Sequence, residues 1–440
     1  MLGVAAVVVA AAGPGILVAT GDVAPTSAVV WARGVRPGTL DVLYSVMGAA
    51  APTARRPLAV TADRDLTGKL TLTGLLPATR YAVRVSQGEA RAEAEFVTAP
   101  PPDAPARVTF LWSGDLGGGG YCRPQEGGYR IFRPMLERRA DFFLFVGDTI
   151  YADVPCDKPG VVPGAEFRAR TLAQYRARHR YQREDPPLQA LLRGTSVYAI
   201  WDDHEVRNDF SGPHDALMPA GRQAMLDYWP IAPPGEAPTR LYRRFRWGRL
   251  LEVFILDTRQ YRSLNRETDG PGKTMLGAAQ KRWLLDGVTS STAVWKVVVT
   301  SVSLSIPTGK PDARDSWTGV DLFGLPQDGG GFVTERDAIL AHLRTHHVKN
   351  LVFVAADVHH AEVIRHQPTP EWSFHELVAG PLSASLGRPR PLDVTLNPRS
   401  LFGRGGVLNF GEVLVEAAHL TVRLVDDGGT VMFTHAIAPE

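Results

Sequence analysis

Cysteine is nearly absent from this 440-residue chain, which has only Cys122 and Cys156. Two thiols cannot build a four-cysteine metal site or a disulfide framework, so they are small hydrophobes or one bridge. Lysine and arginine form no block, and the formal net charge is only +2, which argues against a general nucleic-acid surface. No apolar segment reaches the roughly 20 residues of a membrane span. Internal repeats and long low-complexity tracts are also missing. The glycine-rich "GDLGGGGY" lacks the GK[ST] of a P-loop; its glycines would instead let backbone pass close to a metal or substrate. What is present is ordinary: 44% hydrophobic residues and enough length for two domains and a large core.

The chain divides by pattern. Residues 1–14 are an apolar lead-in, similar to the hydrophobic part of a signal peptide but without a basic start or twin arginine. Residues 15–100 read as short strands separated by turns, an all-β domain. Within it "LLPATRYAVRV" resembles the tyrosine corner of fibronectin-III-like sandwiches, with Tyr81 as the corner residue. A proline-rich linker covers residues 101–106. From 107 to 440, apolar strand-like runs alternate with helical stretches, including "EFRARTLAQYRARHRYQRE". That alternation predicts an α/β layered domain with much parallel sheet.

Chemistry gathers at strand ends. "FLWSGD" ends at Asp115, "FFLFVGD" at Asp148, "VYAIWDDH" at Asp203 and His204, "FILD" at Asp257, and "LVFVAADVHH" at Asp357, His359 and His360. Ligands of open α/β sheets sit outside the carboxyl ends of the strands. Carboxylates converging there repel one another, and a bound cation resolves the conflict. Oxygen-rich ligands with a few nitrogens and no thiolate favour hard or borderline metals. If the first two of these strands are neighbours, Cys122 and Cys156 lie on adjacent loops above the site, and a disulfide joins them in an exported protein.

These elements carry a resemblance. "GDTIY" is similar to the G-D-x-x-Y element of calcineurin-like metallophosphatases, especially purple acid phosphatases. "WDDHEVRN", "LDTRQYR" and "ADVHHAEV" resemble the PhoD-like alkaline phosphatase D family, as does "ATGDVAPTSAVVWAR" near the start. The resemblance implies a four-layer αββα sandwich with an N-terminal fibronectin-III-like domain. It implies two or more metal ions, Fe3+ plus Ca2+ with Zn2+ or Mn2+ as alternatives. Asp148 would bridge them, Tyr151 would be a phenolate ligand, and Asp115, Asp357 and His359 would complete the sites. Asp203 and Asn208 compete for one ligand slot. His204 would bind the phosphoryl group or protonate the leaving oxygen. Arg207 and Arg259 would contact phosphate or pair with nearby carboxylates. The chain departs from the family at "SGD", where Asp115 stands in place of a cysteine ligand, and "VVVTSVSLS" has no histidine.

The implied activity is hydrolysis of phosphodiesters or phosphomonoesters, with an alkaline optimum, by a metal-activated hydroxide. The substrate would be a small-molecule or polymer phosphoester. Two other readings remain: a phosphotriesterase or phospholipase-type hydrolase on the same scaffold, and a non-catalytic, metal-stabilised binding or adhesion module. Trp112, Tyr121, Trp201 and Trp317 are candidates for substrate contact or core packing. The segments Asp312 to Val320 and His375 to Ala384 are candidate pocket walls.

Overall fold

The computed structural model describes residues 15–50, 54–321 and 323–440, so the apolar stretch 1–14 lies outside the described residues. Two large sheets form its centre. The nine-stranded sheet runs in space from Val431–Ile437 through Leu420–Asp426, Asn409–Val415, Val108–Ser113, Phe142–Val146, Ser196–Ile200, Leu17–Gly21 and Ser27–Arg33 to Thr67–Thr73. Its three middle strands, Val108–Ser113, Phe142–Val146 and Ser196–Ile200, are parallel. In the seven-stranded sheet, Leu251–Ile255, Trp295–Val299, Leu351–Ala355 and Trp372–Val378 are parallel in that spatial order.

Strand parity assigns the layers. Val253, Ile255, Val297, Val299, Val352 and Val354 share one core with the nine-stranded sheet. Their neighbours Phe254, Val298, Leu351 and Phe353 point the other way, into a second core. There they meet Leu284 and Val288 of helix Gly277–Ser290 and Ile339, Leu340 and Leu343 of helix Val333–Thr345. A strand buried on both faces reads as a continuous apolar run, which is why "FFLFV" and "LVFVA" carry no alternation. On the outer face of the first sheet, helix Pro186–Gly194 contributes Leu188, Leu191 and Leu192. The result is the αββα sandwich that the resemblance implies.

Helix starts follow local capping. Thr171 caps Leu172–Arg183 in a capping box with Gln174. The helical reading of "EFRARTLAQ" therefore ran too early: the helix begins at Leu172, and residues 166–170 precede its cap without regular structure. Asp185 caps the next helix, accepting Leu188 N–H at 3.0 Å, with two prolines in the first turn.

The N-terminal region is all β and contributes to both a small sheet and the large one. Ala54–Val60, Gly38–Val46, Arg80–Gln87 and Ala90–Val97 form a four-stranded antiparallel sheet. Leu17–Gly21, Ser27–Arg33 and Thr67–Thr73 instead extend the nine-stranded sheet, through a parallel contact of Gly21 with Val197. Tyr198 Oη donates to Val23 O at 2.6 Å across this seam, and Trp31 Nε1 donates to Asp227 O at 2.6 Å. Tyr81 is buried, and its Oη accepts the Leu76 N–H at 2.9 Å. Tyr81→Phe removes that acceptor while keeping the ring, leaving a turn N–H unpaired. The expected loss is ~1–2 kcal/mol of unfolding free energy by urea titration; an unchanged midpoint would show that the corner bond contributes nothing.

Candidate metal centre

Five parallel strands each place an aspartate two residues past their end. These are Asp115 after Val108–Ser113, Asp148 after Phe142–Val146, Asp202 after Ser196–Ile200, Asp257 after Leu251–Ile255 and Asp357 after Leu351–Ala355. The backbone turns sharply to aim them. Asp115, Asp148, Asp357 and His359 have φ of 64°, 50°, 67° and 59°. Non-glycine residues there carry strain on the order of 1–3 kcal/mol each, and such strain concentrates at functional sites. Two glycines make room. A Cβ on Gly147 (φ 81°) would stand 2.5 Å from Asp202 Cβ, and one on Gly380 would stand 2.4 Å from Asp115 Oδ2.

The side chains converge in overlapping groups. Ligand atoms of Asp115, Asp148 and His359 lie within 4.8 Å of one another, as do those of Asp148, Asp203 and His204. Asp148 belongs to both groups, as a bridging carboxylate would. Tyr151 Oη is 2.9 Å from His359 Nε2, and its ring stacks on His204 with centroids 4.1 Å apart. Asp357 borders the first group, its N–H donating to Asp115 Oδ1 at 3.3 Å. Four carboxylate oxygens here, on Asp115, Asp202, Asp203 and Asp357, are buried without any hydrogen-bond partner.

Burial, then the neighbouring Asp202, pushes the Asp115 carboxyl well above the usual range. Burial followed by Asp203 does the same to Asp148, and burial followed by Asp202 to Asp357. Burial and then Asp148 raise the Tyr151 phenol well above its ordinary value. Burial holds His359 down to about 4, so its imidazole is neutral and has a lone pair to offer. The raised carboxyls and the raised phenol describe a site short of positive charge. A hard or borderline cation fits the donor set, which is carboxylate, phenol and neutral imidazole.

His204 differs from the rest. Its Nδ1 is 2.6 Å from Asp153 Oδ1, and its own N–H donates to Asp148 Oδ1 at 3.1 Å. Burial pulls its pKa down, but Asp203 and the Asp153 hydrogen bond override this and raise it to about 9. Asp153 was not singled out from the sequence, although it follows Tyr151 closely in "GDTIYAD". Its second oxygen accepts the Asn208 N–H at 2.9 Å. Asn208 itself is exposed and meets the site only through that backbone group, so of the two candidates for one slot the geometry brings in Asp203.

Arg259 is a correction. It is fully buried, and its guanidinium is consumed by Asp202 (Nε to Oδ1, 2.6 Å) and by both oxygens of Asp315 (2.7 and 2.5 Å). Paired in this way and without solvent exposure, it is closed to a substrate; the geometry favours the ion-pair alternative. Arg262 also reaches Asp315, at 2.7 Å. Burial opposes ionisation of Asp315, but Arg259 and then Arg262 hold its carboxyl below the usual range. Within the group Asp203, Asp209 and Asp315, Asp315 therefore already has its counter-charge. Arg207 stays half exposed beside the site, paired through Nε with Asp215. Asp257 does not join the cluster, since it accepts from Trp201 Nε1 at 2.8 Å and from the N–H groups of Arg259 and Gln260. Trp112, Trp201 and Trp317 are core residues, whereas Tyr121 is exposed.

Two links bind the loops that carry the ligands. Glu205 accepts the N–H of Thr149 and of Asp202. Cys122 and Cys156 form a disulfide with Cα atoms 5.6 Å apart, across 34 residues of chain. Closing such a loop restricts the unfolded chain by about 4 kcal/mol in the chain-entropy model.

Comparison with known proteins places this geometry. Residues 110–404 match the family model for PhoD-like phosphatase, and residues 15–100 match the N-terminal domain of PhoD-like phosphatase. The chain is 28% identical over 323 residues to alkaline phosphatase D of Bacillus subtilis, covering 65% of this chain and 52% of that protein. It thus spans about half the length of this relative. In fold it is similar to a solved PhoD structure, with a TM-score of 0.77 at 20% identity over 97% of this chain and 92% of that one. It is also similar to the purple acid phosphatase PPD1 of yellow lupin, with a TM-score of 0.67 at 12% identity over 96% and 74%.

The raised carboxylates predict how chelation responds to pH. A carboxyl whose folded pKa is raised weakens the fold above the ordinary carboxylate range and ceases to do so as it protonates. A cation removes that penalty. Chelation should therefore lower the Tm more at pH 8 than at pH 6; equal losses by scanning fluorimetry would count against a cation in this cluster.

Proposed function

The chain belongs to the PhoD-like phosphatase family, and from this premise we propose that it hydrolyses phosphate esters, mono- or diesters, at a centre of two or more cations. The observation that carries the reading is the set of unpartnered, buried carboxylate oxygens around Asp148, a residue shared by two ligand groups. Asp115, Asp148, His359, Tyr151 and Asp357 would hold one cation, and Asp148 and Asp203 a second. Fe3+ plus Ca2+ is the pairing we favour: Tyr151 supports a hard trivalent ion, and the oxygen-rich Asp148–Asp203 side supports calcium. When bound, the cations neutralise phosphate oxygens and lower the pKa of water.

The chain's own residues do the rest. Asp153 fixes the orientation of His204 through Nδ1, leaving Nε2 to hold a proton for the departing oxygen. The Asp202–Arg259–Asp315 network fixes the turn that carries Asp203 and His204. The disulfide supports residence in an oxidising, exported compartment.

Asp148→Asn should remove metal, read by mass spectrometry, and lower hydrolysis of bis(p-nitrophenyl) phosphate by roughly 10³-fold or more. Near wild-type turnover in that variant would overturn the reading. His204→Gln should lower kcat by roughly 10²-fold on alkyl phosphates and much less on p-nitrophenyl phosphate, whose leaving group needs no proton. An equal loss on both would remove His204 from the leaving-group side.

A further inference from the structure

A cavity of about 560 Å³ opens beside His204. Its wall carries Asp153, Arg168, Arg170, His204, Arg207 and Asn208. His204 also belongs to the Asp148–Asp203 group, so the cavity begins where the candidate cation centre ends. A phosphoryl group bound to a cation that Asp148 and Asp203 would hold, with its departing oxygen toward His204, would have its leaving half directed into this space.

The charge in the cavity is unbalanced. Asp153 is engaged by the His204 ring and the Asn208 N–H, and Arg207 is paired with Asp215. Arg168 and Arg170 are exposed, and among the described residues no carboxylate lies within 4.0 Å of either guanidinium. Two arginines without a carboxylate partner thus line the same cavity as His204, with the apolar Val206 and Leu217 in the same wall.

Their placement is fixed by backbone. Ala169, buried between the two arginines, donates its N–H to Ala152 O at 2.8 Å, and Ala152 donates to His204 O at 2.8 Å. The arginines therefore hang from the same ladder that holds His204. Behind them, the buried Arg178 donates to Ala165 O, Tyr151 O and Val154 O at 2.5, 2.5 and 2.9 Å. This segment is the irregular lead into the Thr171 cap, and Arg168, Ala169 and Arg170 all line the cavity.

We propose that the cavity receives the leaving half of the substrate and that Arg168 and Arg170 bind a second phosphate group carried by it. This rests on the phosphoesterase reading for the direction of the substrate. The preferred substrates are then phosphoesters whose alcohol bears another phosphate, and not simple alkyl esters. Guanidinium–phosphate contacts are charge-assisted and often bidentate, so they discriminate strongly between one anionic group and two.

Calorimetry on the metal-loaded full chain tests this without turnover, using propane-1,3-diyl bisphosphate against propyl phosphate, each as its phosphonate analogue, in which a methylene replaces the cleavable ester oxygen. The bisphosphate should bind roughly 30-fold more tightly, and Arg168→Ala with Arg170→Ala should cut that preference to less than about threefold. Propyl phosphate affinity should move by less than about threefold in the variant. The preference should also shrink as salt rises, because the arginines are solvent-facing. Equal affinities in the wild type, or equal losses of both ligands in the variant, would overturn the proposal. A bisphosphate preference in a chain that cleaves no ester would sink the hydrolase reading and leave the anion site standing. Ester cleavage without the preference would sink the anion site alone.

Discussion

Bare carboxylates do not share a buried cleft unless positive charge sits among them. This chain sends Asp115, Asp148, Asp202, Asp203 and Asp357 to one region and buries all of them but Asp357, which is half-buried. Part of the conflict is resolved by protein alone: the buried guanidinium of Arg259 lies between Asp202 and Asp315, and Arg262 reinforces Asp315. A buried pair of this kind needs its remaining polar atoms bonded, and Ser301 and Asn265 donate to the same carboxylates. The remainder, centred on Asp148, has no protein counter-charge of that kind. The architecture thus separates two populations of aspartate within a few residues of each other, one neutralised by arginine and one left for a cation.

Position matters as much as charge. A flat end to each strand would splay the carboxylates along the sheet edge. The left-handed turns at Asp115, Asp148, Asp357 and His359 fold them back together. Held strain of this sort persists only where the surroundings over-determine the backbone. Glu205 bridging two loops, the Asp148 O to Leu116 N–H bond and the Cys122–Cys156 link supply that restraint.

Much of this was legible in the sequence because a parallel strand ending in aspartate announces both a layer and a direction. The layers followed from apolar runs, and the ligand groups followed from Asp148, Asp203 and His359 at run ends. What stayed hidden depended on distance in space. Nothing local distinguishes Asp257, satisfied by Trp201 and backbone, from Asp115, which is left unsatisfied. The partner of Arg259 lies 56 residues on, so its role as an ion-pair residue could only be weighed against phosphate binding. Asp153 lacked a strand-end position and was passed over, although its two hydrogen bonds set His204. The early helix start at 166 was a case of arginine-rich composition outvoting the threonine cap.

The parallel contact of Gly21 with Val197 has a further meaning. Strand Ser196–Ile200, which leads straight into the turn carrying Asp203 and His204, would otherwise be an outer strand of the nine-stranded sheet. An open outer strand invites pairing with another molecule. The first strands of the chain close that side, and Thr67–Thr73 moves the border of the sheet three strands away from the site. The N-terminal region thus acts as a guard rail, keeping the charged turn of Asp202, Asp203, His204 and Glu205 off an adhesive margin.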